Sequence, residues 1–312
     1  MKRRAFLTAA AAVPTAAFAG PLAAIAQRPS VRVIIDNDFA GDPDGLVALA
    51  HQLLSPKART VLVTGSALDA NLARMAGVDT ARTAAAGCRL TQDLIGRLEV
   101  ANPPPVIAGA EGFAGGESAA ARAIVAEALR DDALPLIVTC GGPLTNIAAA
   151  LRLNPLIADK IKLVWIGGGD GGHEYNLSTD LAAARHVLEE SRVPVWQIPE
   201  SEYKRFQISV ASLTSEFRTI SPVAQWLYEQ YQHLPPFVQL GGSLTFGDSP
   251  MVSLTAFGME LCPTTKRRVR RILDDSRYGD EIAAREIHVC HSMDVALNFA
   301  DFFALLRLHR QG

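Results

Sequence analysis

The sequence predicts an α/β fold: a doubly wound, mostly parallel sheet with helices on both faces and a helical C-terminal cap. Short β-rich segments alternate with Ala-rich segments of helical length over the first two thirds of the chain. The strands read as unbroken apolar runs, the pattern of a parallel sheet covered on both faces. Gly, Pro, Asp and Asn cluster where these runs stop, so the strands end in turns.

In chain order, the expected strands are "VRVIID" (31–36), "RTVLVTG" (59–65), "PPVIAG" (104–109), "PLIVTC" (135–140), "IKLVWIGG" (161–168) and "VPVWQIP" (193–199). Helices are expected over 45–54, 69–86, 117–130, 143–152 and 180–191. After residue 200 the texture changes. Helical stretches around 222–233 and 250–261 carry more aromatics and prolines, and "SEYKRFQISVASLTSEFRTISP" has no clean period. No linker precedes this region, so 27–312 reads as one domain with a helical cap. Ligands of such sheets bind beyond the carboxyl ends of the strands, which is where chemistry is sought.

The chain has 312 residues and a net charge of -2. That is long enough for a sizeable core, and too neutral for a nucleic-acid binder working by phosphate neutralisation. The basic run "TKRRVRR" (265–271) reads as a solvated face. Residues 1–26 read as an export signal: a basic start, an apolar stretch broken by Pro14 and Pro21, and small residues before cleavage at Ala26 in preference to Ala19. The pair Arg3-Arg4 resembles a bacterial twin-arginine signal, which implies a periplasmic or secreted protein without a stable membrane anchor. Cys88, Cys140, Cys262 and Cys290 form no C-x-x-C, so a zinc site is not expected and buried free thiols are.

Four blocks carry chemistry. In "DNDFAGDPDG" (36–45), Asp36, Asp38, Asp42 and Asp44 crowd the end of the first strand. Close carboxylates repel, so keeping several ionised requires a cation or a shared proton. Hard oxygen ligands suit Ca²⁺ or Mg²⁺. A helix N-terminus accounts for Asp42 or Asp44 but not for Asp36 and Asp38. An EF-hand fails, because counting back from Gly45 puts Ala40 at position one and His51 at position twelve. The second block, "TCGGPLTNIAAALRLNP" (139–155), is a strand, a tight turn and a helix with Thr145 and Asn146 in its first turn. Alone, this block reads as an ordinary strand-to-helix turn, though such a turn also offers a main-chain carbonyl to a metal. The third, "WIGGGDGGHEYNLSTDLAAARHVL" (165–188), contains a G-x-G-x-x-G at Gly167, Gly169 and Gly172. No helix follows it at once, so it reads as a loop delivering Glu174 and Asn176 to a ligand's hydroxyls. The fourth, "LTFGDSPMVSLTAF" (244–257), sets Asp248 at a loop-to-helix junction, as a ligand or as a cap.

Together these blocks resemble the inosine-uridine preferring nucleoside hydrolase family. Members carry an Asp-rich stretch of the form D-x-D-P-G-x-D-D or D-T-D-M-G-N-D-V-D-D, a "GPLTNIA" block (here Gly142 to Ala148), and an "EFN" block (here "EYN"). The resemblance implies the family's α/β fold and hydrolysis of the N-glycosidic bond of a ribonucleoside, or related N-riboside, to ribose and base. It implies a Ca²⁺ holding a water and the ribose diol, with Asp38 as both metal ligand and general base. Asp42, Asp44, Asp248 and the Thr145 carbonyl complete the implied metal shell. Asp44, Glu174, Asn176 and Asp248 are the implied ribose contacts. It further implies a small-molecule nucleoside substrate and a homodimer or homotetramer.

The chain departs from the family at three points: Gly45 replaces the second of two adjacent acids, Gly247 a His before the late Asp, and Ser66 an Asn after the second strand. His173, His233, His291 and Tyr231 are the candidates to protonate the leaving base. Two other readings compete. A haloacid-dehalogenase-type phosphatase shares the D-x-D, but has Ala40 where Thr or Val is wanted and leaves "GPLTNIA" and "EYN" unexplained. A non-catalytic nucleoside- or sugar-binding protein on the same scaffold is motivated by Gly45 and Gly247.

Overall fold

The structure, a computed structural model, describes residues 28–113, 115–234 and 241–311. The signal-like segment 1–26 lies outside the described residues. Ten strands are described: β1 (Val31–Asn37), β2 (Ala58–Gly65), β3 (Val106–Ala108), β4 (Leu136–Cys140), β5 (Ile161–Ile166), β6 (Val195–Ile198), β7 (Gln207–Ser209), β8 (Ser243–Thr245), β9 (Thr264–Ile272) and β10 (Tyr278–Cys290). The helices are α1 (Asp44–Leu54), α2 (Ala70–Met75), α3 (Thr83–Arg97), α4 (Ala119–Leu129), α5 (Thr145–Leu153), α6 (Tyr175–Thr179), α7 (Leu181–Arg185), α8 (Glu200–Tyr203), α9 (Val210–Ser215), α10 (Pro222–Gln230), α11 (Pro250–Ala256) and α12 (Val295–Gln311).

The main sheet has the order β3-β2-β1-β4-β5-β6-β10-β9, and all neighbours are parallel except β9 against β10. β1 alternates its apolar side chains between two cores. Ile34 packs with Ile124 of α4 and Ile147 and Leu151 of α5. Val33 and Ile35 pack with Leu46 and Leu49 of α1, Leu227 of α10 and Phe302 of α12. Each such side chain contributes roughly 1.5–3 kcal/mol by leaving water. Burial on both faces is why the strand shows no polar alternation.

The helix expected over 69–86 is two. α2 ends at Gly77, whose φ of +68° suits glycine, and the Gly77 and Val78 amides close back on the Arg74 and Ala73 carbonyls at 3.2 and 2.9 Å. This C-terminal motif stops the helix before α3 begins. The segment expected as a helix over 180–191 is α7 followed by a π-helical turn, His186–Glu190.

The C-terminal region carries the expected helices, α10 and α11 among them, and adds strands that the sequence did not announce. Beyond residue 200 there are two antiparallel ladders, β7 with β8 and β9 with β10, and β10 extends the main sheet beside β6 through His288↔Trp196 and Val289↔Gln197. The run 265–271 is solvated as expected, but it is an edge strand in which only Val269 and Ile272 are buried. The four cysteines are free; three are buried and Cys262 is half-buried. No helix among the described residues is long and apolar enough to cross a membrane.

Candidate active site

β1 lies where the strand order reverses, so the connections from β1 and β4 leave the sheet in opposite directions and open a crevice at their carboxyl ends. A cleft of about 700 Å³ occupies that place. Asp38, Asp42 and Asp44 enter it from the β1–α1 loop, Gly141 from the end of β4, Glu174 and Asn176 from beyond β5, Tyr203 from α8, and Asp248 from the turn before α11. Asp69, Asn71, Leu72 and Met75, with Tyr175 of α6, form the outer wall.

The glycine pair after β4 is needed for this approach. A Cβ at Gly142 would lie 3.1 Å from the Asp38 nitrogen, and one at Gly141 2.7 Å from Asp248 Oδ1. Asp38 follows the last residue of β1, and its carbonyl accepts from Gly41 N–H at 2.9 Å. Asp42 is exposed, and its Oδ1 accepts from the Asp44 amide at 3.2 Å, tying down the start of α1. Asp44 and Asp248 meet across 204 residues of chain: Asp248 N–H donates to Asp44 Oδ2 at 3.2 Å. The Asp248 carboxylate is buried, and its Oδ2 accepts from Asn37 Nδ2 at 2.7 Å.

Glu174 begins α6 as its cap. Its Oε2 accepts from Gly168 and Leu177 amides at 2.7 and 3.0 Å, and its Oε1 from the Tyr203 hydroxyl at 3.1 Å. Asn176 donates its amide hydrogens to the Ile166 and Gly141 carbonyls at 3.0 and 3.3 Å, which leaves its Oδ1 to accept from a ligand hydroxyl. Thr145, named from the sequence for its carbonyl, is not among the residues lining the cleft. Its hydroxyl donates to Asp180 at 2.6 Å, and the neighbouring Asn146 donates to Asp36 at 2.8 Å, so the first turn of α5 is fixed from two sides. Asp36 also faces away from the cleft, accepting from Thr64 and Ser66 hydroxyls at 2.5 and 2.8 Å. Ser66 is thereby committed to a buried network and lines no part of the cleft.

Six carboxyl groups line the cleft, and no Lys, Arg or His does so among the described residues. The electrostatic consequence is plain. Burial, then the charges of Asp248 and Asp42, holds Asp38 well above the usual carboxylate range, and the same causes act on Asp44. Asp248 is pushed up to about 8 by burial, with the Asn37 hydrogen bond opposing. Burial also raises Glu174, against four hydrogen bonds that lower it.

The donor chemistry fits a hard divalent cation: every group is an oxygen, the acids repel, and no protein cation balances them. Asp38, Asp42, Asp44 and Asp248 are the acids of this cleft that the β1–α1 turn and the turn before α11 supply. Their oxygens are partly satisfied by the protein itself, and among the described residues no group of three or more Asp, Glu, His or Cys side chains stands close enough together to hold a metal ion as placed.

Of the proton donors named from the sequence, His173 is exposed and held by Ser276 at 2.8 Å, and His291 lies at Thr265. Neither lines the cleft. The His233 side chain is outside the described set. Tyr231 is buried with an unpartnered hydroxyl, and burial followed by the charges of Asp44, Asp42 and Asp248 raises it far above its ordinary value. Residues that the sequence did not single out are Asn37, Asp69, Tyr175 and Tyr203. Tyr175 sits inside the quoted "EYN" and donates to Asp69 at 2.9 Å.

The cleft thus sits at the sheet's switch point and draws its acids from both ends of the chain. A model of the inosine-uridine preferring nucleoside hydrolases matches residues 33–257, and the chain belongs to that family of N-glycosyl hydrolases, whose reaction is ribonucleoside hydrolysis. In particular, it is 34% identical over 109 residues to the pyrimidine-specific ribonucleoside hydrolase RihA of Escherichia coli O9:H4 (strain HS), covering 32% of this chain and 34% of the relative. The chain thus spans about a third of the length of the curated relative it matches. Among solved structures, it superposes on the plant nucleoside hydrolase PpNRh1 with a TM-score of 0.70 at 17% identity, covering 89% of this chain and 99% of that one. The purine-preferring ribonucleoside hydrolase from Gardnerella vaginalis gives 0.66 at 19%, covering 90% and 99%. These identities speak for the shared fold. The family match sets aside the phosphatase alternative.

Proposed function

We propose that this chain hydrolyses the N-glycosidic bond of ribonucleosides with Asp38 as general base at a Ca²⁺ site. The observation that carries this reading is the convergence of Asp38, Asp42 and Asp44 with Asp248, Glu174 and Asn176 in one cleft at the sheet's switch point. Asp38, Asp42, Asp44, Asp248 and the Thr145 carbonyl would hold the ion. When bound, the ion supplies positive charge that acidifies a water and grips the vicinal ribose hydroxyls.

Asp38 takes the proton of the water that attacks the anomeric carbon. Its proximity to Asp248 and Asp42 keeps it basic enough to do so once its own proton is displaced. Asn176 Oδ1 and the remaining lone pair of Glu174 Oε1 accept from ribose hydroxyls and place negative charge beside the sugar as it turns cationic. Tyr203 holds Glu174 in that orientation. Tyr231 is buried against Phe246 and, like His173 and His291, does not line the cleft, so the leaving base's proton is assigned to none of these three.

The test uses the purified mature chain with Ca²⁺ or with EDTA, against inosine, guanosine, uridine, cytidine and nicotinamide riboside. Pyrimidines are included because of the RihA likeness. Expected is Ca²⁺-dependent release of reducing sugar from at least one. Binding of these nucleosides without sugar release would leave a binding protein in place of an enzyme. The same reading includes export by the 1–26 signal and a homo-oligomer. Replacing Arg3-Arg4 by Lys-Lys should keep the chain in the cytoplasm, and light scattering should give a mass of at least two chains.

A further inference from the structure

We propose that Asn37 compensates for the acid missing at position 45: its carboxamide fills the space of a side chain there and orients Asp248 toward a divalent cation. The inference rests on the cation reading above and adds to it a positioning residue particular to this chain.

Asn37 is the last residue of β1 and is 1% exposed. Gly45 stands at the start of α1, directly against it. A Cβ on Gly45 would lie 2.9 Å from Asn37 Nδ2 and 3.1 Å from both Cγ and Oδ1, so no side chain enters at 45 while Asn37 keeps its place. On its other side the same amide nitrogen is 2.5 Å from where a Gly141 Cβ would stand. The carboxamide is wedged between two glycines: Gly45 leaves room for it alone, Gly141 for it and for the Asp248 carboxylate.

From that wedge Nδ2 donates to Asp248 Oδ2 at 2.7 Å in a buried hydrogen bond. The carboxylate partner requires a donor, which fixes the amide's orientation. Asp248 is held a second time by its own amide, which donates to Asp44 Oδ2. With Oδ2 occupied and the main chain tied, the other oxygen of Asp248 is the one left for a cation. A hydrogen bond of this kind behind a ligand sets its direction and much of its affinity. The exchange of acid for amide also removes one negative charge from a crowded cluster, at the cost of one direct ligand.

Ca²⁺ alone is titrated calorimetrically into purified mature protein: wild type, Asn37→Ala, Gly45→Asp and the double variant. Asn37→Ala should weaken Ca²⁺ about 10- to 100-fold. Gly45→Asp alone should not tighten binding, because the amide blocks it. The double variant should bind at least as tightly as wild type, a rescue that a merely structural Asn37 does not predict. A second arm needs no metal. In EDTA, Gly45→Ala should lower the urea midpoint when Asn37 is present. In the Asn37→Ala background the same change should lower the midpoint less, or raise it. Unchanged Ca²⁺ affinity in Asn37→Ala, or tightening by Gly45→Asp alone, overturns the proposal. Wild type that binds no Ca²⁺ at millimolar concentration sinks the cation reading and the orienting role together. Absent coupling in urea sinks the Asn37–Gly45 pairing while leaving the cation reading standing.

Discussion

Asp36 and Asp38 are two residues apart at the end of one strand, yet they live in opposite environments. Asp36 points into the protein and accepts from Thr64, Ser66 and Asn146, so four hydrogen bonds, a weak one from Cys140 among them, oppose the upward pull of burial. Asp38 points into the cleft, where burial is reinforced by the charges of Asp248 and Asp42 and little opposes it. The period of a β-strand makes this possible only because β1 ends between them: Asp36 is inside the ladder and Asp38 just beyond it. A carboxylate given donors is part of the scaffold. One given only like charges is held in readiness for a cation or a proton.

That contrast can be broken experimentally. The largest effect belongs to Asp38→Asn, which should lower kcat by about 10²–10⁴-fold with an unchanged circular dichroism spectrum; a fully active variant removes Asp38 from its role. Next comes pH. Asp38, Asp44 and Asp248 are all raised, Asp248 to about 8, so the folded protein binds more protons than the unfolded chain between the ordinary carboxylate range and pH 8. Stability of the metal-free protein therefore falls as pH rises through that window. Saturating Ca²⁺ should flatten the slope, which a Tm series with and without EDTA reads directly. Asp36→Asn should act on the scaffold instead, lowering unfolding free energy in urea by about 1–3 kcal/mol, since one of its donors loses its acceptor. Its kcat should fall far less than that of Asp38→Asn. The smallest effect is Tyr203→Phe, which removes one hydrogen bond to Glu174 and should cost about 1 kcal/mol, or roughly fivefold, in kcat/KM.

The same physics decides what could be read from the sequence. β1, β2, β4, β5 and β6 are visible because a strand buried on both faces is apolar throughout. β9 and β10 are not, because a solvated hairpin such as "TTKRRVRRI" shows neither an apolar run nor a strict alternation. The break at Gly77 is hidden in an Ala-rich stretch, where one glycine does not announce a helix end. At the site, the acids and the "EYN" block stand out because charge near the core needs a reason. Asn37 and Tyr203 do not, because an amide or a phenol takes its meaning from the group opposite, here Asp248 and Glu174, far off in the chain. Thr145 is named for its carbonyl, and what the structure adds is the pair of side-chain bonds fixing that turn.

The two rims of the eight-stranded sheet have a consequence for assembly. One rim is β3, three residues long, and the other is β9, which carries Lys266, Arg267, Arg268, Arg270 and Arg271 within six positions. A second copy brought edge to edge would find either too little backbone to zip onto or a row of its own positive charge. Copies of this chain that associate must do so through helices and loops, leaving the ladder closed to newcomers.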